Sequence, residues 1–412
     1  MLTSWSAVPL RVLIAPDSFK GSLDAGAAAT AIARGLLEAL GPRVRIASLP
    51  MADGGEGTLD ALLAVAGAQE RTVLTSDALG RPRQARFGLL LDGRAVIEAA
   101  EAIGLPLVTD VPLRPLTADS GGAAPLVIDA LDSGVASILL TVGGSATTDG
   151  GAGLLRGLGV RFLDEAGDDI PLGGVGLERL DRIDLRGLDP RAARAHWRIA
   201  CDVDNPLTGS TGAAAVFGPQ KGADASDIAR LDAGLARLAA ALESATGVSV
   251  AGMPGAGAAG GIPASLHAVL GAELVPGAEL VADALGLASA IADADLVITG
   301  EGSLDAQSLR GKVPATVASS ASRAGVPVVV IAGAVDLSAD ELVRAGIAVA
   351  ISLADGPATV ESLIDRAPDL LAAAARRVGA LIDLGGALVH RSTPGTGDDA
   401  GVTDRTLEGE CS

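Results

Sequence analysis

The stretch Leu10–Ser22, LRVLIAPDSFKGS, decides the fold. Leu10–Ala15 is apolar apart from Arg11 and reads as a strand. Pro16–Ser22 ends it in a polar loop, and Leu23–Leu40 continues as an alanine-rich helix. A second unit of the same type follows. A strand at Arg43–Leu49 leads into the loop Pro50–Thr58, PMADGGEGT, and a helix through Ala66. Strand, helix, strand, helix is the order of a parallel sheet covered on both faces, so the expected class is α/β and doubly wound.

Further along, the style changes. Arg71–Ala99 alternates and turns at Leu79–Pro82 and Asp92–Gly93, as antiparallel hairpins do. A helix near Gly122–Asp132 precedes the apolar segment Ala136–Val142 and the loop Thr141–Gly153, TVGGSATTDGGAG. Short strands are expected at Val160–Leu163 and Trp197–Ala200, a helix at Asp224–Ser244 and a glycine loop at Gly252–Ile262. From Leu280 the strand–helix alternation returns. It runs through a helix to Ala292, a strand at Asp295–Thr299 and the loop Gly300–Lys312, GEGSLDAQSLRGK. A helix to Ala324, a strand at Val326–Ile331, a helix at Ser338–Ala345 and a strand at Ala348–Leu353 follow, and a last helix covers about Val360–Ile382. The two ends share one style, so residues 1–70 and 290–385 are expected to form one discontinuous domain, with a mixed α/β domain, 71–289, inserted and a disordered tail at 386–412.

Composition narrows the function classes. A net charge of −19 argues against nucleic acid and anionic membrane as partners, while leaving room for a local basic pocket. Two cysteines, Cys201 and Cys411, make no disulfide framework, and no apolar run reaches membrane-spanning length. A cytoplasmic protein acting on a small molecule is expected; oligomeric state is left open. Of 31 basic residues only Lys20, Lys221 and Lys312 are lysine, and each has a glycine neighbour. A compact ammonium suits a phosphate where the bulkier guanidinium would not fit.

Glycine-rich loops between strand and helix aim backbone N–H groups at anions. In Thr141–Gly153, Gly143 and Gly144 supply such a loop, Ser145, Thr147 and Thr148 add hydroxyl donors, and Asp149 is a metal candidate. The competing reading is a tight turn whose glycines only supply positive φ. Three further loops fall at carboxyl ends of strands, where open α/β sheets bind ligands. They carry Asp17, Ser18, Lys20, Asp53, Gly54, Gly55, Glu56, Gly300, Glu301, Gln307 and Lys312. Lysines and carboxylates on one edge suit a polyanion with a divalent metal, and Mg²⁺ needs only one or two carboxylates. Asp305 and Ser22 read as helix caps. Asp202 and Asp204 in CDVDNP, Cys201–Pro206, are spaced to share a face, with Asn205 beside them. Cys201 and His267 read as structural, and Gly255–Gly260, GAGAAG, matches GxGxxG without a good strand before it.

APDSFKGSL, MADGGEGT, GGSATTDGGAG, CDVDNPL, FGPQKGA, PGAGAAGG and GEGSLDAQSLRGK, in this order over about residues 10–385, resemble the motifs of the bacterial glycerate kinase family. The resemblance implies ATP-dependent phosphorylation of glycerate, with the 2-position favoured. It also implies two α/β domains, one flavodoxin-like and one inserted, with the site between them. The residue roles expected on chemical grounds are these. Glycine loops cradle the triphosphate of ATP, Lys20 and Lys312 neutralise phosphate and substrate carboxylate, and Asp202 takes the hydroxyl proton. Mg²⁺ is held by Asp53 or Glu301. The rival readings are a nucleotide-linked oxidoreductase using GAGAAG and a two-domain ligand-binding sensor.

Overall fold

The computed structural model describes residues 8–55, 57–64, 68–309, 311–354, 356 and 358–392. Glu56, the end of the expected helix through Ala66, and residues 393–412 of the expected tail lie outside them. In chain order the strands are β1 (Leu10–Ile14), β2 (Val44–Ser48), β3 (Gln69–Ser76), β4 (Pro82–Leu89), β5 (Arg94–Glu98), β6 (Ser137–Thr141), β7 (Arg161–Leu163), β8 (Arg182–Asp184), β9 (His196–Ala200), β10 (Glu273–Val275), β11 (Leu296–Leu304), β12 (Val328–Val335) and β13 (Val349–Ser352).

Strands from the two ends of the chain form one sheet, ordered β13-β12-β11-β1-β2 and parallel throughout. Counted within the sheet this is 2-1-3-4-5, the flavodoxin-like order, and it reverses between β1 and β11. Alternation along β1 explains its two-sided cover. Val12 and Ile14 face the helices Ala25–Leu40 and Ala367–Ser392, while Leu13 and Ala15 face the helix Val313–Ala324. Asp24 starts the first of these helices by accepting from Ala27 N at 2.7 Å, so Ser22 is not its cap. Gly35 lets that helix press on the last one, since a Cβ there would lie 2.0 Å from the Ala372 carbonyl oxygen.

The middle of the chain builds a second, mixed sheet, β10-β9-β6-β5-β4-β3, antiparallel only at β3–β4 and β4–β5. The short strands β7 and β8 pair apart from it. Helices Gly277–Leu285 and Leu287–Ala292, expected mostly within the insert, pack in the core beneath the parallel sheet with Val297 and Val317.

Three expectations are corrected. β11 and β12 run longer than read, to Leu304 and Val335, because their ladder continues past the end of β1. Gly300 and Glu301 are therefore strand residues, not loop residues. The last helix is broken at Arg366 into Val360–Asp365 and Ala367–Ser392, and it continues past Gly385 where disorder was expected. GAGAAG follows the helix Ala225–Thr246, not a strand. Its Gly257 and Gly260 pack against the Pro206 and Thr147 carbonyls, 2.2 and 2.1 Å from where a Cβ would sit. Those glycines serve backbone packing, and the strand–turn–helix context of a dinucleotide fingerprint is absent there.

Candidate active site

The loops after β1 and β2 are held to the sheet edge by backbone bonds. Asp17 N donates to Gly300 O at 2.8 Å, and Met51 N donates to Pro16 O at 2.8 Å. At the point where strand order reverses, they open a cleft of about 430 Å³. Its polar side carries Asp17, Ser18, Lys20, Asp53, Glu301 and Lys312, and its apolar wall includes Phe19, Leu353, Leu363 and Ile364. Lys20 Nζ stands 3.1 Å from Asp53 Oδ2, with the lysine side chain 75% exposed. The Asp53 charge carries the Lys20 ammonium above its ordinary value against the opposing effect of burial. Burial pushes the Asp17 carboxyl up to about 7, and Asp53 adds to the push. Burial likewise raises Glu301, whose Oε1 has no hydrogen-bond partner. Carboxylates here are crowded and underpaid in donors, which is the electrostatic state a cation would relieve.

A second cleft of about 440 Å³ opens on the mixed sheet. Lys20 and Asp53 line it too, so the two clefts meet at that ion pair. Gly54, Gly55, Gly143, Gly144 and Ser145 form its glycine-rich side, and Asp202 and Lys221 its charged groups. Contact between the sheets is tight here. A Cβ on Gly54 would lie 2.6 Å from Gly277 Cα, and one on Gly277 would lie 2.0 Å from Asp53 O. Gly54 also has φ of 86°, which any side chain would strain. Asp202 lies at the mouth and accepts from Gly277 N at 2.8 Å. Partial burial of its carboxylate, opposed by that N–H and by the charges of Lys20 and Lys312, raises it to about 6.

The structure thus gathers Asp17, Ser18, Lys20, Asp53, Gly54, Gly55, Gly143, Gly144, Ser145, Asp202, Glu301 and Lys312 around two joined clefts. Six candidates fall outside them. Asp149 is fully buried and accepts from Ser120 N, Ser120 Oγ, Gly153 N and Gly151 N at 2.7–3.1 Å. It fastens its own loop, with both carboxylate oxygens accepting hydrogen bonds. Thr147 and Thr148 are buried with unpartnered hydroxyls and line neither cleft. Asn205 donates its side-chain amide to Thr211 O at 2.8 Å. Gln307 is exposed on a turn that Asp305 closes by accepting from Gln307 N and Ser308 N. Gly300 sits in β11, where a Cβ would lie 2.1 Å from Ile331 O. His267 and Cys201 are structural as expected, bonded to the Ala272 carbonyl and to the Val203 and Gly255 carbonyls.

One charged group of the second cleft is not among the expected site residues. Lys221 is 2% exposed, lines the second cleft and donates to Thr147 O at 2.6 Å. Its signal was present in FGPQKGA and in the scarcity of lysine. A buried position was not legible because it comes from a short turn, Pro219–Lys221, tucked beneath a loop distant in sequence.

Known proteins resemble this chain over most of its length. The model of the glycerate kinase family matches residues 12–383. Glycerate kinase of Halalkalibacterium halodurans is 44% identical over 368 residues, covering 89% of this chain and 97% of the relative. Glycerate 2-kinase of Escherichia coli is 43% identical over 377 residues, covering 91% and 99%. A crystal structure assigned to glycerate kinase 2 of Salmonella typhimurium superposes with a TM-score of 0.82 at 44% identity, covering 92% of this chain and 99% of that one.

Proposed function

The chain belongs to the glycerate kinase family, and we propose that it transfers the γ-phosphoryl group of ATP to the 2-hydroxyl of D-glycerate. The observation that carries this reading is the meeting of two clefts at Lys20–Asp53. One cleft has an apolar wall for a base and cations for phosphates. The other has glycine loops, a carboxylate and room for a small acceptor.

Phosphoryl transfer asks for alignment and charge neutralisation more than for covalent chemistry. Lys20 and Lys312 face the nucleotide's phosphates from one side, and the backbone of Gly54 and Gly55 approaches the junction closely because no side chain stands there. The glycerate hydroxyl oxygen attacks the γ-phosphorus, the bond from that phosphorus to the β–γ bridging oxygen breaks, and ADP leaves. Asp202 takes the hydroxyl proton. Lys20 and Lys312 hold that carboxylate in the range where it is ionised at neutral pH.

Among the described residues, no group of three or more His, Cys, Asp or Glu is arranged to cage a metal. Mg²⁺ delivered with a nucleotide does not need one, since phosphate and water fill most of its shell. The unpartnered buried Glu301 Oε1 and the Asp53 carboxylate fit the remaining positions. The ion, when bound, neutralises charge on the β- and γ-phosphates.

The test is purified protein with ATP, Mg²⁺ and D-glycerate, with products identified by ³¹P NMR. Glycerate-dependent ADP release with a 2-phosphate resonance is expected. Glycerate binding without turnover would instead support a ligand-binding sensor. The Escherichia coli relative's name supports the 2-position; a 3-phosphate product would overturn that part alone.

A further inference from the structure

A buried lysine without a counter-ion is rare, because an ammonium loses several kcal/mol of hydration that only a partner restores. Lys221 is such a group. It is 2% exposed, and its Nζ reaches two neutral acceptors, Thr147 O at 2.6 Å and Ser145 Oγ at 3.4 Å. Among the described residues its ammonium bonds to no carboxylate, and Asp149 acts on it only through its charge. Two acceptors leave one of its three N–H groups unspent. The lysine lines the second cleft, where Gly143, Gly144 and Ser145 offer backbone N–H groups and Asp202 stands at the mouth.

The scaffold around it is built to keep the ammonium in place. Pro219–Lys221 forms a single helical turn, and Gly222 reverses the chain at φ of 90°, where a Cβ would press on Leu113 at 2.7 Å. Thr147, whose carbonyl takes the shortest bond, sits in the loop that Asp149 fastens through four hydrogen bonds. Burial draws the ammonium down to about 8, with Asp149 opposing the fall, so the group is still charged at neutral pH.

We infer that the second cleft is the acceptor site and that Lys221 holds the acceptor's carboxylate, which makes the enzyme select hydroxy acids over uncharged polyols. This rests on the kinase reading above. Among the described residues the second cleft's other cation is Lys20, already paired with Asp53, so the unpaired charge this cleft offers is that of Lys221 and suits a monoanion. One end of a small hydroxy acid is fixed by the buried ammonium and the glycine loop. Its hydroxyl is then directed toward Asp202 and the junction.

The test uses Lys221→Met, with Lys221→Arg as a second variant, in the full-length protein. Steady-state kinetics are run with D-glycerate and with glyceramide, its uncharged amide, and glycerate binding is followed by calorimetry without nucleotide. The wild type is expected to favour glycerate over glyceramide by about 10²-fold or more in kcat/KM, as for loss of one partner of a buried charge pair. Lys221→Met is expected to raise KM for glycerate about 10²-fold, leave KM for ATP within about twofold, and treat acid and amide alike. An unchanged thermal midpoint shows that the variant folds. If it does not fold, the wild-type preference and the arginine variant still decide the matter. Normal KM for glycerate in folded Lys221→Met, a raised KM for ATP instead, a folded Lys221→Arg that no longer prefers acid to amide although it keeps the cation, or a wild type that accepts glyceramide as readily as glycerate would overturn the inference. No glycerate-dependent ADP release from the wild type would overturn the kinase reading, and calorimetry would then still report whether Lys221 binds the acid.

Discussion

The two clefts handle charge in opposite ways. In the first, Lys20 is three-quarters exposed and paired with Asp53, and three acids crowd the same wall. In the second, Lys221 is buried and paired only with neutral oxygens. Exposed charge can rearrange around a large, variable anion that brings its own cation. Buried charge is fixed in place and suits one small anion of constant shape. The same division runs through the loops. Those after β1 and β2 turn Asp17, Lys20 and Asp53 toward a cleft, while Thr141–Gly153 spends Asp149 on holding itself together.

The sharpest way to break this comparison is to remove the group where the clefts join in chemistry. Asp202→Asn keeps the size of the side chain and its acceptor toward Gly277 N, but it cannot take a proton. A kcat lower by about 10²–10⁴-fold is expected, with ATP affinity preserved. The wild type should also lose kcat as pH falls through about 6, because the raised Asp202 carboxyl is protonated there; Asp53, Lys20 and Lys312 are the charges that face it. A kcat that survives substitution while the Mg²⁺ requirement rises would make Asp202 a metal ligand and send the search for a base to Asp17 or Asp204.

Lys20→Ala tests the exposed side of the comparison. Turnover should fall by about 10²-fold, on the scale of losing one transition-state donor, while the thermal midpoint stays nearly constant because exposed ion pairs add little stability. Loss of stability with normal turnover would return Lys20 to the structural residues.

Much of this was legible in the chain. Leu10–Ser22 and the second unit of the same type around Arg43–Thr58 carried the parallel sheet, because a strand buried on both faces leaves an apolar run that turn residues end sharply. The lysines stood out because arginine is used almost everywhere else. What stayed hidden depends on contacts distant in sequence. β11 runs past Thr299 only because β12 lies beside it, and Glu301 therefore looked like a loop residue. Asp149 looked like a ligand because Ser120, which consumes it, is remote in the chain. Gly300 looked like part of a phosphate cradle and Gly257 like part of a GxGxxG match, yet the atoms that need their missing Cβ belong to Ile331 and Pro206.

Asp149→Asn probes the self-supporting loop. An amide cannot accept on both sides, so an N–H donor would face Ser120 N, Gly153 N or Gly151 N. Stranding a buried donor costs about 1–3 kcal/mol, and a thermal or denaturant midpoint should fall accordingly. Chelators should leave the wild-type midpoint unmoved if the carboxylate is structural; a metal-dependent midpoint lost in the variant would make it a ligand after all.

The smallest expected effect lies in the same loop and has the opposite sign. Thr148 is fully buried, and its Oγ1 meets no hydrogen-bond partner. Threonine and valine have nearly the same shape, so the exchange trades a hydroxyl for a methyl without opening a cavity. Folding strips that hydroxyl of water and returns nothing, whereas a methyl gains from the same burial. Thr148→Val should therefore leave the midpoint unchanged or raise it by up to about 1 kcal/mol in unfolding free energy, with kcat and both KM values as in the wild type. A hydroxyl that instead contacted nucleotide or glycerate would be missed at once: kcat/KM would drop while stability held. That outcome would put Thr148 into the acceptor cleft and erase the distinction between a loop that binds and a loop that only holds the binding groups in position.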